Sequence, residues 1–201
     1  MVSLASTSSA VLFLLLWLVV SPCTTSLHNK QDGTIPEYIG FWQDLQVLGL
    51  SDNYFDGSVP MSFSALNKMK TLAIDDNNLV GGLDFADSLT SLEFFYANDN
   101  DLSGTLDSNF LANLKVLREL DLSNNNLHTP NDPDRQGLPP HLFQHASLEV
   151  LDLRNNFLKG PLPAMTPNQV LKFLSVRNND LTGAISPANL PMLSALTHLD
   201  V

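Results

Sequence analysis

Apolar residues return along this chain in a repeating phase. LQVLGLSDNYFDGSVP (Leu45–Pro60) is followed by MKTLAIDDNNLVGGLD (Met69–Asp84), LEFFYANDNDLSGTLD (Leu92–Asp107) and LRELDLSNNNLH (Leu117–His128). Then come LEVLDLRNNFLKGPLP (Leu148–Pro163), LKFLSVRNNDLTGAIS (Leu171–Ser186) and LTHLDV (Leu196–Val201). The shared pattern is L-x-x-L-x-L-x-x-N-x-L, usually continued by x-G-x-L/I/V-P. Its aligned asparagines, Asn53, Asn77, Asn100, Asn125, Asn156 and Asn179, lie 24, 23, 25, 31 and 23 residues apart. Asn29 stands another 24 residues upstream of Asn53, with Gly33, Ile35 and Pro36 in phase behind it. Self-similarity at a period of roughly 20–50 residues marks a chain wound into stacked coils, each too small to bury an apolar face alone.

Within each coil the L-x-L stretch alternates with period two, which predicts a short strand with one buried face and its x residues on the open side. The asparagine after the strand carries both an amide donor and a carbonyl acceptor. Turning there leaves backbone groups that are costly to bury unpaired. An inward asparagine can bond them in its own and the adjacent coil, so the stacked copies predict a ladder. Phe55, Leu79, Leu102, Leu127, Leu158 and Leu181, two residues on, fill the core behind the turn. Gly57, Gly81, Gly104, Gly160 and Gly183 then allow a tight bend.

In these motifs the chain resembles the leucine-rich repeat family, and GTIP (Gly33–Pro36), GSVP (Gly57–Pro60) and GPLP (Gly160–Pro163) narrow the resemblance to the plant-type class. It covers residues 29–201. The resemblance implies an α/β solenoid: a right-handed curved superhelix with a concave parallel β-sheet made by the L-x-L strands. It also implies a non-catalytic binding module, secreted or on the extracellular side of the cell surface, whose ligand is a protein, peptide or polysaccharide. A structural or adhesive surface protein is the alternative, as is a truncated ectodomain of a receptor-like protein or kinase. Receptor-type members carry a cysteine-paired cap that this chain lacks. The fourth repeat breaks phase with Thr129–Pro140 (TPNDPDRQGLPP), expected as a surface loop. Asn29 lacks a strand before it and Val201 lacks an asparagine after it, so about six full repeats are flanked by partial ones. Solenoids need capped ends, and an incomplete chain is therefore expected.

Ala10–Val20 (AVLFLLLWLVV) is an apolar run shorter than the roughly 20 residues that span a bilayer. With Ser21, Cys23, Thr24 and Ser26 after it, it reads as a signal peptide over 1–26, cleaved after Cys23 or Ser26, with the repeat domain over 27–201. An uncleaved anchor is the other reading, and membrane attachment is expected only through it or through a missing C-terminal span. Of 201 residues, 21 are acidic and 10 basic, for a net charge of −11. That balance argues against nucleic acid as a partner. Cys23 is the sole cysteine, so no intrachain disulfide exists. No N-x-[ST] sequon is present.

The x positions of the strands form two columns on the expected concave face. One is Val47, Thr71, Phe94, Glu119, Val150, Phe173 and His198; the other is Gly49, Ala73, Tyr96, Asp121, Asp152, Ser175 and Asp200. Exposed aromatics and arginines are enriched where interfaces carry their energy. Candidate ligand contacts are therefore Phe94, Tyr96 and Phe173, with Arg154 and Arg177 for a carboxylate or sulfate. Asp75, Asp99, Glu119, Asp121 and Asp152 supply negative charge on the same face. Asp52, Asp75, Asp76 and Asp99 invite a calcium reading, but aspartate at turns accounts for them and no metal is expected. His141 and His145 have the spacing of zinc ligands on a helix without a third ligand. No cofactor motif and no catalytic constellation is found.

Overall fold

The computed structural model describes residues 31–107, 109–130, 137–163, 170–183 and 193–201. The expected signal peptide over 1–26 and Asn29 lie outside the described residues.

Seven three-residue strands form one parallel sheet in chain order: Val47–Gly49, Thr71–Ala73, Phe94–Tyr96, Glu119–Asp121, Val150–Asp152, Phe173–Ser175 and His198–Asp200. The central residue of each strand from Leu48 to Leu174 is buried, because strand side chains alternate between faces. Each strand pairs residues equivalent in the repeat, as Val47 with Thr71 and Thr71 with Phe94. The same register crosses the longest repeat, where Glu119 pairs with Val150. The greater length of that coil leaves the register of the sheet unchanged.

A second set of strands follows the ladder asparagines, where only a bend was expected. Asp32–Thr34 pairs with Tyr54–Asp56, Lys159–Pro161 with Asp180–Thr182, and Val80–Gly81, Asp101–Thr105 and Asn126–His128 form a row. Here each repeat glycine faces the core residue of the next coil: Gly33 with Phe55, Gly81 with Leu102, Gly104 with Leu127, Gly160 with Leu181. That partner sits two positions earlier in the repeat. Outer strands thus slide by two residues per coil, about 7 Å, while inner strands do not slide at all. Successive coils are therefore rotated against one another as well as stacked. Gly57 shows why glycine is required there: its φ is +68°, and an added Cβ would fall 2.9 Å from Thr34 Cγ2.

The far side of the coils is made of 3₁₀ turns, Glu37–Phe41, Met61–Ala65 and Asp84–Ser88, with one short α-helix, Pro140–Phe143, among the described residues. The helical half of the expected α/β solenoid is thus mostly single 3₁₀ turns. A coil of 23–25 residues that spends two segments on strands leaves too few for a longer helix. Between the layers Phe63, Phe85 and Phe95 meet edge to face, with centroids 6.2 and 6.3 Å apart.

The stretch expected as a surface loop is anchored at both ends, its middle (131–136) lying outside the described residues. Thr129 is buried; its hydroxyl donates to the Lys159 carbonyl and accepts the Lys159 N–H, both at 3.0 Å. Leu138 joins the core. His141 and His145 clamp this coil onto the one before. Their Nε2–H groups donate to the carbonyls of Phe110 (2.6 Å) and Leu114 (2.7 Å). His145 Nδ1 also accepts the Ser147 N–H, so this ring is neutral. Both histidines are backbone caps, which is a better use of their spacing than zinc.

The asparagine side chains run through the stack as one hydrogen-bonded column. Asn125 Nδ2 donates to the carbonyls of Leu122 (3.2 Å) and Ser123 (3.1 Å) in its own coil, and to Ala97 (2.9 Å) in the coil before. Its Oδ1 accepts the Leu102 N–H at 3.0 Å. Asn77, Asn100, Asn156 and Asn179 repeat this pattern on their own neighbours. Asn53 bonds Leu50 and Ser51 and accepts the Gln31 N–H.

Candidate ligand-binding face

The inner sheet presents both columns read from the sequence, in the same register. In the second to fourth coils it gathers Asp75, Phe94, Tyr96, Glu119 and Asp121, all half-buried. Tyr96 does not present a free hydroxyl, because it donates to Glu119 Oε2 at 2.5 Å. Burial, and then that carboxylate, push the Tyr96 hydroxyl far above its ordinary range, so it stays protonated. Asp75 accepts the Ser51 hydroxyl at 2.5 Å. Burial raises the Asp75 carboxyl; the Ser51 bond opposes this, and the charges of Asp52 and Asp121 add to it. Asp121 accepts both the N–H and the hydroxyl of Ser123.

Phe94 carries the Arg118 guanidinium over its ring, 5.8 Å from the centroid. Arg118 in turn donates Nε (3.1 Å) and Nη2 (2.6 Å) to Glu149, whose other oxygen accepts Lys172 Nζ at 2.5 Å. These two cations hold the Glu149 carboxyl down at about 2. Arg118 and Glu149 were missed in the sequence. Their signal was the alternating Lys70, Glu93, Arg118, Glu149 and Lys172, all just ahead of the inner strands.

The later coils differ from expectation. Asp152 is only 4 % exposed, although its position alternates outward; its Oδ1 accepts the Arg154 N–H at 3.1 Å. Arg154 and Arg177, expected to be open to an anion, lie toward carboxylates of their own face. Arg154 Nη1 is 3.5 Å from Asp152 Oδ2, and Arg177 Nη1 is 3.9 Å from Asp200 Oδ2. Phe173 is stacked on His198, centroids 4.6 Å apart and planes at 1°.

Asp99 belongs to a different column. Asp52, Asp76, Asp99, Asn124, Asn155 and Asn178, each just before a ladder asparagine, have φ between +51° and +57°. Left-handed backbone favours Asp and Asn among side-chain-bearing residues, which explains the run of acids better than calcium. Among the described residues no group of three or more His, Cys, Asp or Glu is placed to hold a metal ion.

The model of the family described as Leucine Rich Repeat matches residues 44–66, 116–145 and 147–168. Receptor-like protein 39 of Arabidopsis thaliana is 34 % identical over 162 residues, covering 80 % of this chain and 18 % of that protein. The chain thus spans less than a fifth of that relative's length. The plant peptide hormone receptor RGFR1, solved in complex with RGF2, superposes with a TM-score of 0.72 at 28 % identity, over 86 % of this chain and 30 % of that one. The ectodomain of the Arabidopsis receptor kinase HAESA, solved with an N-terminally extended IDA peptide hormone, gives 0.73 at 28 % identity, over 85 % and 27 %. No helix among the described residues is long and apolar enough to cross a membrane. A family match on three stretches of the repeat, in a chain whose coils stack in that repeat's own phase, places this protein among the leucine-rich repeat proteins, in the plant-type class.

Proposed function

We propose that this chain is an extracellular or cell-surface recognition module that binds a peptide or protein on its inner sheet and catalyses no reaction. The likeness to receptor ectodomains solved with peptide hormones carries the reading. The physics of the sheet supports it. Strands locked by a buried amide column hold the outward side chains in place, so little ordering cost falls on binding. Phe94 and Tyr96 offer aromatic surface beside three carboxylates, suited to an extended chain that carries both apolar and basic groups. The signal peptide expected over 1–26 is consistent with delivery outside the cell.

The test uses the secreted chain immobilised against a library of secreted plant peptides. Phe94→Ala and Glu119→Ala are compared with Met61→Ala, which alters an exposed residue on the opposite side. A selected peptide should lose about tenfold or more in affinity to the inner-face variants, each a candidate hot spot, and nothing to Met61→Ala. Equal binding by all three would refute the reading. Retention by a cell-wall polysaccharide in place of peptides would transfer the same face to a glycan.

A further inference from the structure

Asp152, Ser175 and Asp200 lie side by side on the inner sheet, because the register pairs Asp152 with Ser175 and Ser175 with Asp200. Adjacent strands are about 4.8 Å apart and paired residues leave a sheet on the same side. The Ser175 side chain thus leaves the sheet between two carboxylates. It is fully buried, and among the described residues its Oγ is the one buried side-chain polar atom without a hydrogen-bond partner. The comparable serines of this face are satisfied: Ser51 donates to Asp75 and Ser123 to Asp121. Folded proteins seldom leave such an atom unpaired without a use for it.

The chain's own cations do not complete this row. The Arg154 and Arg177 separations of 3.5 and 3.9 Å are longer than a hydrogen bond, and both side chains are substantially exposed. Asp152 spends Oδ1 on a backbone N–H, and its Oδ2 faces the Arg154 guanidinium at 3.5 Å. Burial raises its carboxyl; the Arg154 N–H and the Arg154 charge oppose this, and the charges of Asp121 and Asp200 add to the rise, so the net shift is upward. Two residues back on the same strands, the stacked Phe173 and His198 form an aromatic ledge.

Three acceptors in a row beside an aromatic ledge suit a primary ammonium, which has three rotatable donors on an apolar stem. A guanidinium, whose planar fork matches one carboxylate at a time, suits them less. We propose that Asp152, Ser175 and Asp200 form a subsite for an alkylammonium group, the side chain of a lysine in a peptide partner, its stem along Phe173 and His198. Arg154 and Arg177 swing aside to admit it. This rests on the inner sheet being the recognition face and specifies the chemistry of one part of it.

The probe is acetyl-Gly-Lys-Gly-amide, titrated into the full chain at low salt and followed by heteronuclear NMR. Amide shifts should concentrate on residues 150–154, 173–177 and 198–200. Affinity should fall about fivefold or more when the lysine is Nε-acetylated, as expected for loss of charge-assisted bonds, and about threefold in Ser175→Ala. It should also fall about fivefold or more in Asp200→Asn, whose side chain is partly exposed, and an otherwise unchanged spectrum checks the fold of each variant. Equal binding by the acetylated peptide or by acetyl-Gly-Arg-Gly-amide, or no response to Ser175→Ala and Asp200→Asn, would overturn the subsite. If a natural peptide maps to Phe94 and Glu119 while the lysine probe gives no shifts, the subsite alone fails. If the probe binds here while the natural partner ignores every inner-face variant, the recognition reading alone fails.

Discussion

Replacing Asn125 by alanine tests the column that joins the coils. Asn125 is buried and bonds four backbone groups, the Leu102 N–H and the carbonyls of Ala97, Leu122 and Ser123. Leu122 O keeps a donor from Asn156 at 3.0 Å, and Ala97 O keeps a longer one from Asn100 at 3.4 Å. The Leu102 amide loses its acceptor, and Ala97 O loses its shorter bond. Leaving the Leu102 amide unpaired costs about 1–3 kcal/mol, and the lost Ala97 bond about 0.5–1.5 kcal/mol more, so the variant should lose about 2–4 kcal/mol. That is a large part of the roughly 5–15 kcal/mol that holds a domain together. Asn179 makes the same bonds at a half-exposed position where water can replace them, and Asn179→Ala should cost only about 1 kcal/mol. Urea unfolding followed by circular dichroism reads the difference, and hydrogen exchange at the Leu102 amide reads the local cause. Equal losses in the two variants, or a Leu102 amide still protected in Asn125→Ala, would refute the idea that this amide column carries the stack.

Gly57→Ala forces a side chain into left-handed backbone and against Thr34, while Gly33→Ala at φ +79° meets nothing within 4 Å. Thermal unfolding should show Gly57→Ala costing about 2–3 kcal/mol and Gly33→Ala about 1 kcal/mol; equal costs would mean that backbone strain alone decides. Burial lowers the His145 pKa, so the unfolded chain binds its proton more readily. Stability from this residue is present above about pH 6.5 and is lost as pH falls below it. The urea midpoint should therefore drop more between pH 7.5 and 5.5 in the native chain than in His145→Gln. Glu149, held at about 2 by Lys172 and Arg118, contributes above its ordinary range and loses that contribution as pH falls toward 2. Carbon-detected NMR titration should find its midpoint near about 2, and Lys172→Met should move it upward.

The inner face was readable almost residue by residue. Phe94 opposite Glu119 and Tyr96 opposite Asp121 follow once L-x-L is taken as a strand and the asparagines as coil markers. What could not be read was how those residues spend their polar atoms. Tyr96 gives its hydroxyl to Glu119, Arg118 pairs with Glu149, and Ser175 is left without a partner, and none of this is encoded in any single repeat. The two-residue slide of the outer strands was equally hidden, since Gly81 and Leu102 share no phase in the alignment. The histidine clamp was visible as a spacing, but its carbonyl partners belong to the preceding coil.

The sequence by itself determined the coil: its length, its buried leucines, its inward asparagine and its left-handed Asp or Asn. Each of these follows from forces acting within two dozen residues, so each copy repeats them. Only the stacked structure decided which charges are paired, which aspartate is buried and which hydroxyl lies idle. The pairs Tyr96–Glu119 and Arg118–Glu149 join side chains 23 and 31 residues apart on neighbouring coils, and a repeating pattern does not specify what its neighbour carries there.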